Sequence, residues 1–289
     1  MIKKSNKLII NNKNLILGAA FGYNWDDLKI FIKSLRTFEN CRVILIFERA
    51  LDQQLKNKFK KYKIEHFIFN QKKTTNIPGL TNSKSDVGQR RYEMYEQILR
   101  QIQKKPKKIL LTDTRDVVFQ KNLFKNVYKK TLNFFLENEK ILNDLRNSRW
   151  LKRTVGKKEF DKIKQNYISC SGTTLGNYDQ ILRYSFLMKK YLYLFPYKRP
   201  LRHFLIFKNI EPYDQGIHNY LIYNNFFKEM QLHKNDFSNI CTTAYMKKFS
   251  FDKNGKLRNK KNQVYSLIHQ YDRSFNKDGP IFNFKKIYG

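Results

Sequence analysis

Cysteine is scarce in this sequence of 289 residues, and its scarcity excludes two classes of small protein. Cys41, Cys170 and Cys241 are its only cysteines, and they are widely spaced. An odd number of cysteines so far apart builds neither a disulfide framework nor a zinc module based on cysteine pairs. Isolated cysteines are typical of a reducing compartment, so we expect a cytoplasmic protein.

Long hydrophobic runs are also absent. The longest apolar stretches, such as Leu15–Phe21, are far shorter than the roughly 20 residues that a membrane-spanning helix needs. Lys3 and Lys4 precede a short apolar region, but the polar segment Asn11–Asn14 interrupts it and no small-residue cleavage site follows. We therefore expect neither a transmembrane helix nor a signal peptide.

Acidic residues are few compared with basic ones. The chain has 24 Asp and Glu against 58 Lys and Arg, which gives a formal net charge of +34. Such an excess favours an anionic partner, but it is equally expected of a lysine-coated surface set by genome composition. The basic runs are scattered and match no nucleic-acid-binding module, so we expect no specific nucleic acid. Peripheral contact with the anionic inner face of a membrane is compatible with the charge.

The order of predicted elements indicates an α/β protein. Hydrophobic residues make up 41% of the chain, which is enough for a buried core. In the first half, predicted strands over 14–20, 42–47, 65–69 and 108–112 alternate with predicted helices over 26–37, 51–62 and 87–104, which favours a mostly parallel sheet flanked by helices. The second half is less regular, with predicted helices over 132–145, 179–194 and 214–226 and short strands over 167–170, 239–245 and 263–269. Residues 71–86 and 198–208 are predicted to be mobile loops.

Two carboxylates directly follow the predicted buried strand 108–112. Asp113 and Asp116 lie in the segment Thr-Asp-Thr-Arg-Asp, where open α/β sheets bind their ligands. Two carboxylates suit Mg²⁺ or Mn²⁺, and such a metal keeps positions that a diphosphate can fill. Alternatively, Asp113 caps the turn and Asp116 pairs with Arg115 or a lysine.

Two later segments offer partners for this acidic pair. The last predicted strand ends in His269, whose neutral imidazole is able to bind a metal, and the cation Arg273 follows. Asp214 and Gln215 open a predicted helix, from which both can point into a sugar pocket. The alternatives are a structural role for His269 and an N-cap role for Asp214.

With these residues in place, the chain resembles nucleotide-sugar-dependent glycosyltransferases of the GT-A fold over roughly residues 15–273. Residues 112–116 resemble the acidic metal motif of these enzymes, although Asp-Thr-Arg-Asp is one residue longer than Asp-x-Asp. Asp214-Gln215 resembles the Asp-Gln pair of retaining members akin to glycogenin and bacterial galactosyltransferases. His269 resembles their late metal-binding histidine, although His-Gln-Tyr-Asp-Arg replaces the usual histidine followed by Lys-Pro-Trp.

The resemblance implies a single Rossmann-like GT-A domain over residues 1–289 with C-terminal additions. Its nucleotide-binding half covers about residues 12–120, and its acceptor-binding half covers about residues 121–275. The implied ligands of Mn²⁺ or Mg²⁺ are Asp113, Asp116 and His269, and the implied catalytic residues are Asp214 and Gln215. The implied donor-binding residues are Tyr23 and Asn24 at the base, Gly172 and Thr173 at the sugar, and Arg91 and Arg273 at the diphosphate.

The reaction implied is transfer of a sugar from a UDP- or GDP-linked donor to a hydroxyl of a glycan or a lipid-linked acceptor. Two other classes stay open on the residues alone. One is another α/β enzyme that handles nucleoside diphosphates, such as a nucleotidyltransferase or a phosphatase. The segment Gly18–Gly22 is too poor in glycine for the phosphate loop that a nucleotidyltransferase needs. The other is a basic nucleic-acid-binding protein, which predicts steeply salt-dependent binding.

Overall fold

A computed structural model describes residues 11–69, 84–195, 214–273 and 280–289. The predicted loop 198–208 and most of the predicted loop 71–86 lie outside these ranges. The described cysteines are buried and free, as expected without a disulfide framework. Within these ranges, no helix combines the length and the apolar character that crossing a membrane requires.

The described chain builds a seven-stranded central sheet with the strand order β3-β2-β1-β4-β7-β6-β8. All neighbouring strands pair in parallel except at β7, which is antiparallel to both β4 and β6. This architecture confirms the predicted α/β class with a mostly parallel sheet. The strands are β1 (Asn11–Ala19), β2 (Cys41–Phe47), β3 (Glu65–Ile68), β4 (Lys108–Thr112), β6 (Leu132–Lys140), β7 (Tyr167–Gly176) and β8 (Met230–His233).

Helices cover both faces of this sheet because its inner strands are apolar on both sides. In β1, Leu15 and Leu17 belong to the hydrophobic cluster on one face of the sheet, and Ile16 between them belongs to the cluster on the other face. Helices α1 and α2 pack on one face, and α3, α6 and α7 pack on the other. The described helices are α1 (Trp25–Phe38), α2 (Gln53–Tyr62), α3 (Lys84–Gln101), α4 (Leu145–Thr154), α5 (Lys157–Ile163), α6 (Tyr178–Leu194), α7 (Asp214–Tyr223) and α8 (Pro280–Tyr288).

Two assignments in the second half of the chain were wrong. The predicted helix 132–145 is strand β6 over its first nine residues, and a helix begins only at Leu145. The strand lies between β7 and β8, so burial on both sides and the ladder hydrogen bonds override its helical periodicity. The predicted strand 167–170 is too short, because β7 continues to Gly176 and pairs with both β4 and β6.

Two small sheets complete the described fold. A three-stranded sheet has the order β5-β12-β9, formed by β5 (Val117–Phe119), β12 (Leu267–His269) and β9 (Ile240–Thr242). A two-stranded ribbon is formed by β10 (Ser250–Phe251) and β11 (Leu257–Arg258). The three-stranded sheet carries the last part of the chain back to the segment that follows β4.

Candidate active site

Three metal-ligating side chains from distant parts of the sequence converge beyond the end of β4. His269 Nε2 lies 3.2 Å from Asp113 Oδ2 and 3.7 Å from Asp116 Oδ1. One potential ligand atom from each residue lies within 4.8 Å of the other two. The convergence predicted from the strand ends is therefore present in the fold.

The backbone explains why these residues meet. Asp113 follows β4, and its N–H donates to the Gly172 carbonyl of the adjacent β7 at 2.9 Å. Asp116 directly precedes β5, whose first residue, Val117, is paired with His269 of β12. The antiparallel pairing of β5 and β12 thus places the histidine beside the acidic segment, although the two segments are more than 150 positions apart.

The electrostatics of this cluster favour a positive charge. Burial and the like charge of Asp113 raise the pKa of Asp116 above its ordinary value. Burial opposes ionisation of Asp113, yet Arg91 and His269 hold the pKa of that carboxyl well below its usual range. Burial by itself lowers the pKa of His269, but Cys170 and the two aspartates outweigh it and raise the pKa well above its ordinary value. The two carboxylates therefore stabilise the protonated, positively charged form of the His269 imidazole.

The donor set and the space around it fit a divalent cation. Two carboxylate oxygens and one imidazole nitrogen suit Mn²⁺ or Mg²⁺ better than a thiolate-binding metal. A Cβ placed at Gly172 would overlap the His269 ring and lie 2.7 Å from Asp113 Oδ2, so the position admits only glycine without rearrangement. The second ring nitrogen of His269, Nδ1, lies 3.4 Å from the Cys170 sulfur, which fixes the ring orientation.

Arg91 connects this cluster to the start of α7. Its guanidinium lies 2.5 Å from Asp113 Oδ1 and 2.6 Å from Asp214 Oδ2. The hydroxyl of Tyr92 donates to the same Asp214 oxygen at 3.1 Å. Arg91 also donates to the carbonyl of Ser171 in β7. A single buried cation therefore holds the acidic segment, β7 and α7 in one arrangement.

A crevice of about 200 Å³ opens beside the acidic pair. Arg273 lies 3.6 Å from Asp116 Oδ2 and remains about half exposed, so its charge faces both the cluster and solvent. Burial, and next the charge of Asp113, raise the pKa of the Tyr23 hydroxyl. The crevice is lined by Ala19, Phe21, Tyr23, Arg91, Asp113, Thr114, Arg115, Asp116 and Arg273. Three cations and two carboxylates thus surround a space open to solvent.

Other predicted residues lie outside this crevice. Thr173 follows Gly172 in β7, and its side chain is fully buried and does not line the crevice. The Asn24 side chain caps α1 by accepting hydrogen bonds from the N–H groups of Asp26 and Asp27. Gln215 uses its amide to bind the β7 backbone, accepting from Ser171 N–H and donating to Ser169 C=O, each at 2.8 Å. The donor-binding roles of Thr173 and Asn24 and the catalytic role of Gln215 stay predictions.

Comparison with known proteins does not indicate a function, so a functional assignment rests on the geometry of the site. No protein-family model matches the chain, and none of the curated proteins matches it. The likeness to GT-A glycosyltransferases therefore stays a prediction drawn from the residues and motifs.

The sequence did not reveal several residues that surround the site. Tyr92 has no motif around it, and only the α3 geometry turns its hydroxyl toward Asp214. Arg115 forms an ion pair with Asp272, and Cys170 is the neighbour of His269. Glu137, on β6, interacts with the Cys170 thiol, which lowers the pKa of Glu137 against the larger effect of burial. Predicting a strand over 132–145 would have placed Glu137 near the carboxyl edge of the sheet. The predicted helix did not indicate this position.

Proposed function

We propose that this protein is a metal-dependent glycosyltransferase that moves a sugar from a nucleoside-diphosphate sugar to an acceptor hydroxyl. The observation that carries the proposal is the convergence of Asp113, Asp116 and His269 at the carboxyl edge of a mostly parallel sheet. This edge is where open α/β sheets bind nucleotides and related ligands. The chain order of the motifs and their resemblance to GT-A enzymes support the same class.

In this proposal Asp113, Asp116 and His269 hold Mn²⁺ or Mg²⁺. When bound, the divalent ion supplies Lewis acidity toward the diphosphate of the donor. One potential ligand atom of each side chain already lies within 4.8 Å of the other two, so metal binding needs only small side-chain movements. The glycine at position 172 keeps the face of the cluster toward β7 free of a side chain.

Arg273 and Arg115 are the residues proposed to meet the diphosphate. Negative charge grows on the leaving nucleoside diphosphate as the glycosidic bond breaks, and fixed cations stabilise it. Both guanidinium groups line the crevice and are partly exposed, so they can form paired hydrogen bonds with phosphate oxygens. Arg91 is nearly buried between two carboxylates, so we assign it the positioning of Asp113 and Asp214.

Tyr23 is proposed to contact the base, because its aromatic ring lines the crevice and its hydroxyl interacts electrostatically with Asp113 and Asp116. Asp214 is proposed to lie near the donor sugar from the first turn of α7. If the configuration inverts, Asp214 is the candidate base; if it is retained, Gln215 is the candidate for stabilising the cationic sugar. The acceptor is proposed to be a glycan or a lipid-linked glycan.

The experiment that tests the proposal is a thermal-shift screen of the whole chain with UDP, GDP and CDP, with and without Mn²⁺. We expect one nucleotide to raise the melting temperature in Mn²⁺ and to lose that effect in EDTA. Asp113→Asn and Asp116→Asn should abolish the metal-dependent rise. Asp161→Asn, which changes an exposed aspartate on α5, is the matched control and should keep it.

Product analysis then separates the transferase from a phosphatase. A transferase releases a nucleoside diphosphate and adds a sugar to the acceptor, whereas a phosphatase releases inorganic phosphate without needing an acceptor. Full activity of the doubly substituted Asp113→Asn, Asp116→Asn protein in EDTA would contradict the proposal. So would the absence of a thermal shift with all three nucleotides in Mn²⁺.

A further inference from the structure

A second cleft opens where strands β6 and β8 end. Its volume is about 340 Å³, which is in the range of small-molecule sites. Glu137 and Asn138 come from β6, Tyr167 begins β7, and the segment from Lys234 to Phe237 follows β8. None of these residues lines the crevice beside the acidic pair.

The sheet topology puts this cleft on the same edge as the acidic pair. Strand β7 is antiparallel to both β4 and β6, so β4 and β6 run in the same direction and their carboxyl ends share an edge. Strand β8 is parallel to β6 and ends there too. A ligand in this cleft and a ligand beside Asp113 therefore lie along one side of the sheet.

A short chain of contacts joins the two sites through the interior. Glu137 lines the cleft and is 5% exposed, and the Cys170 thiol interacts with it closely enough to lower its pKa against the effect of burial. The Cys170 sulfur lies 3.4 Å from His269 Nδ1, and His269 Nε2 lies 3.2 Å from Asp113. The carboxyl group of Glu137 is thus separated from the metal-ligating histidine by one side chain.

The walls of the cleft combine exposed aromatic rings with planar polar groups. Tyr167 is 43% exposed and Phe237 is 50% exposed, although large aromatic side chains usually bury their area. Between them, Asn138 donates to Asp236 at 2.9 Å, which holds an amide and a carboxylate in fixed positions. A pyranose ring has an apolar C–H face that stacks on an aromatic ring and a rim of hydroxyl groups that bond to amides and carboxylates.

Glu137 is the group at this cleft best placed to bind a hydroxyl. Its carboxyl is buried, and the Cys170 thiol and the charges of His269 and Arg273 only partly offset the effect of that burial. Burial raises its pKa to about 7. Near neutral pH the carboxyl group is therefore able either to accept or to donate a hydrogen bond.

We infer that this cleft binds a pyranose sugar of the acceptor, with the ring stacked on Tyr167 or Phe237 and one hydroxyl bonded to Glu137. The inference rests on the proposed function, because only a transfer reaction needs an acceptor. It names the chemical class of that acceptor and separates its site from that of the donor.

The test is saturation-transfer-difference NMR on the whole chain, in Mn²⁺ and UDP, with four probes. The probes are the methyl pyranosides of glucose, galactose, N-acetylglucosamine and rhamnose. We expect binding of at least one probe, and Tyr167→Ala and Phe237→Ala should each weaken it about tenfold. Tyr167→Phe and Phe237→Tyr should retain most of it, and Glu137→Gln should weaken it about threefold.

Tyr193→Ala is the matched control, because Tyr193 is 48% exposed but lies on α6, away from the cleft. It should bind the probe like the unchanged protein. Failure of every probe to bind, or binding that Tyr167→Ala and Phe237→Ala leave unchanged, would overturn the inference.

The thermal shift with nucleotide and Mn²⁺ is measured on the same variants, so the two proposals fail separately. Loss of sugar binding with an intact nucleotide shift assigns the sugar to this cleft. Sugar binding without any nucleotide shift supports a carbohydrate site but overturns the proposed transferase. A nucleotide shift without sugar binding in the unchanged protein supports the transferase and overturns the cleft assignment.

Discussion

Arg91 donates a hydrogen bond to Asp214 at 2.6 Å, although the two residues are 123 positions apart. The same guanidinium donates to Asp113 at 2.5 Å, so one buried cation serves two carboxylates from different elements. Asp214 is 7% exposed, so little water can reach its carboxylate to replace the hydrogen bond from Arg91. This arrangement ties α3, the end of β4 and α7 together.

Removing the Arg91 guanidinium should destabilise the fold strongly. Arg91→Ala removes the cation that neutralises both carboxylates, although His269 and Tyr92 stay beside them, and we expect the free energy of unfolding to fall by about 3–5 kcal/mol. The matched control is Arg100→Ala on the same helix, because Arg100 is 59% exposed and its partner Glu96 keeps an ion pair with Lys189, so the change should cost about 1 kcal/mol or less. Urea denaturation of both variants measures the difference, and equal losses would contradict this account of Arg91.

Gly172 should be essential for metal binding rather than for folding alone. A Cβ at this position would collide with the His269 ring and approach Asp113, so Gly172→Ala should weaken Mn²⁺ binding about tenfold or more. Gly156→Ala is the control, because φ there is +92° while no atom lies within 4 Å of the added Cβ. That variant strains the backbone but should keep its Mn²⁺ affinity. Isothermal titration with Mn²⁺ distinguishes the two, and equal affinities would refute the steric argument.

Asn24 should matter first as a helix cap. Its side-chain oxygen accepts from two N–H groups at the start of α1, and Asp27 completes a capping box. Asn24→Ala should lower the free energy of unfolding by about 1 kcal/mol, whereas Asn24→Ser should restore most of it. If Asn24→Ser binds nucleotide as tightly as the unchanged protein, capping accounts for the residue and the predicted base contact is wrong. Thermal melts and nucleotide titrations provide both measurements.

The convergence of Asp113, Asp116 and His269 could be predicted from the sequence because these residues lie at strand ends. Asp113 follows a five-residue buried strand, and the carboxyl ends of parallel strands meet at one sheet edge. His269 ends another predicted strand, and the apolar residues of that strand are as easy to recognise in the sequence as those of β4. Scarcity of acidic residues in so basic a chain made each carboxylate at a strand end more informative.

The second half of the sheet could not be predicted because its local pattern misleads. The segment Leu132–Lys140 has apolar residues at helical spacing, yet it is buried between two strands that come much later in the chain. Non-local pairing decides its conformation, and no local signal reports it. The partners of Arg91 were missed for the same reason, since Asp214 and Ser171 reach it only through tertiary folding.

Glu137 should give the protein a distinctive dependence of stability on pH. Its carboxyl has an ordinary pKa of 4.5, and burial raises the pKa to about 7 in the folded protein. Below pH 4.5 the group is protonated in both states. Between pH 4.5 and about 7 the unfolded chain releases the proton while the folded protein keeps it, so stability falls as the pH rises.

Glu137→Gln removes this titration, so the variant should gain stability relative to the unchanged protein as the pH rises from 4.5 to 7. The relative gain should approach about 3 kcal/mol at most and level off above the folded pKa. Urea unfolding at several pH values in EDTA measures it, with Glu139→Gln, a partly exposed glutamate on the same strand, as the control. A difference between Glu137→Gln and the unchanged protein that stays constant across this range would show that the carboxyl is not held protonated by burial.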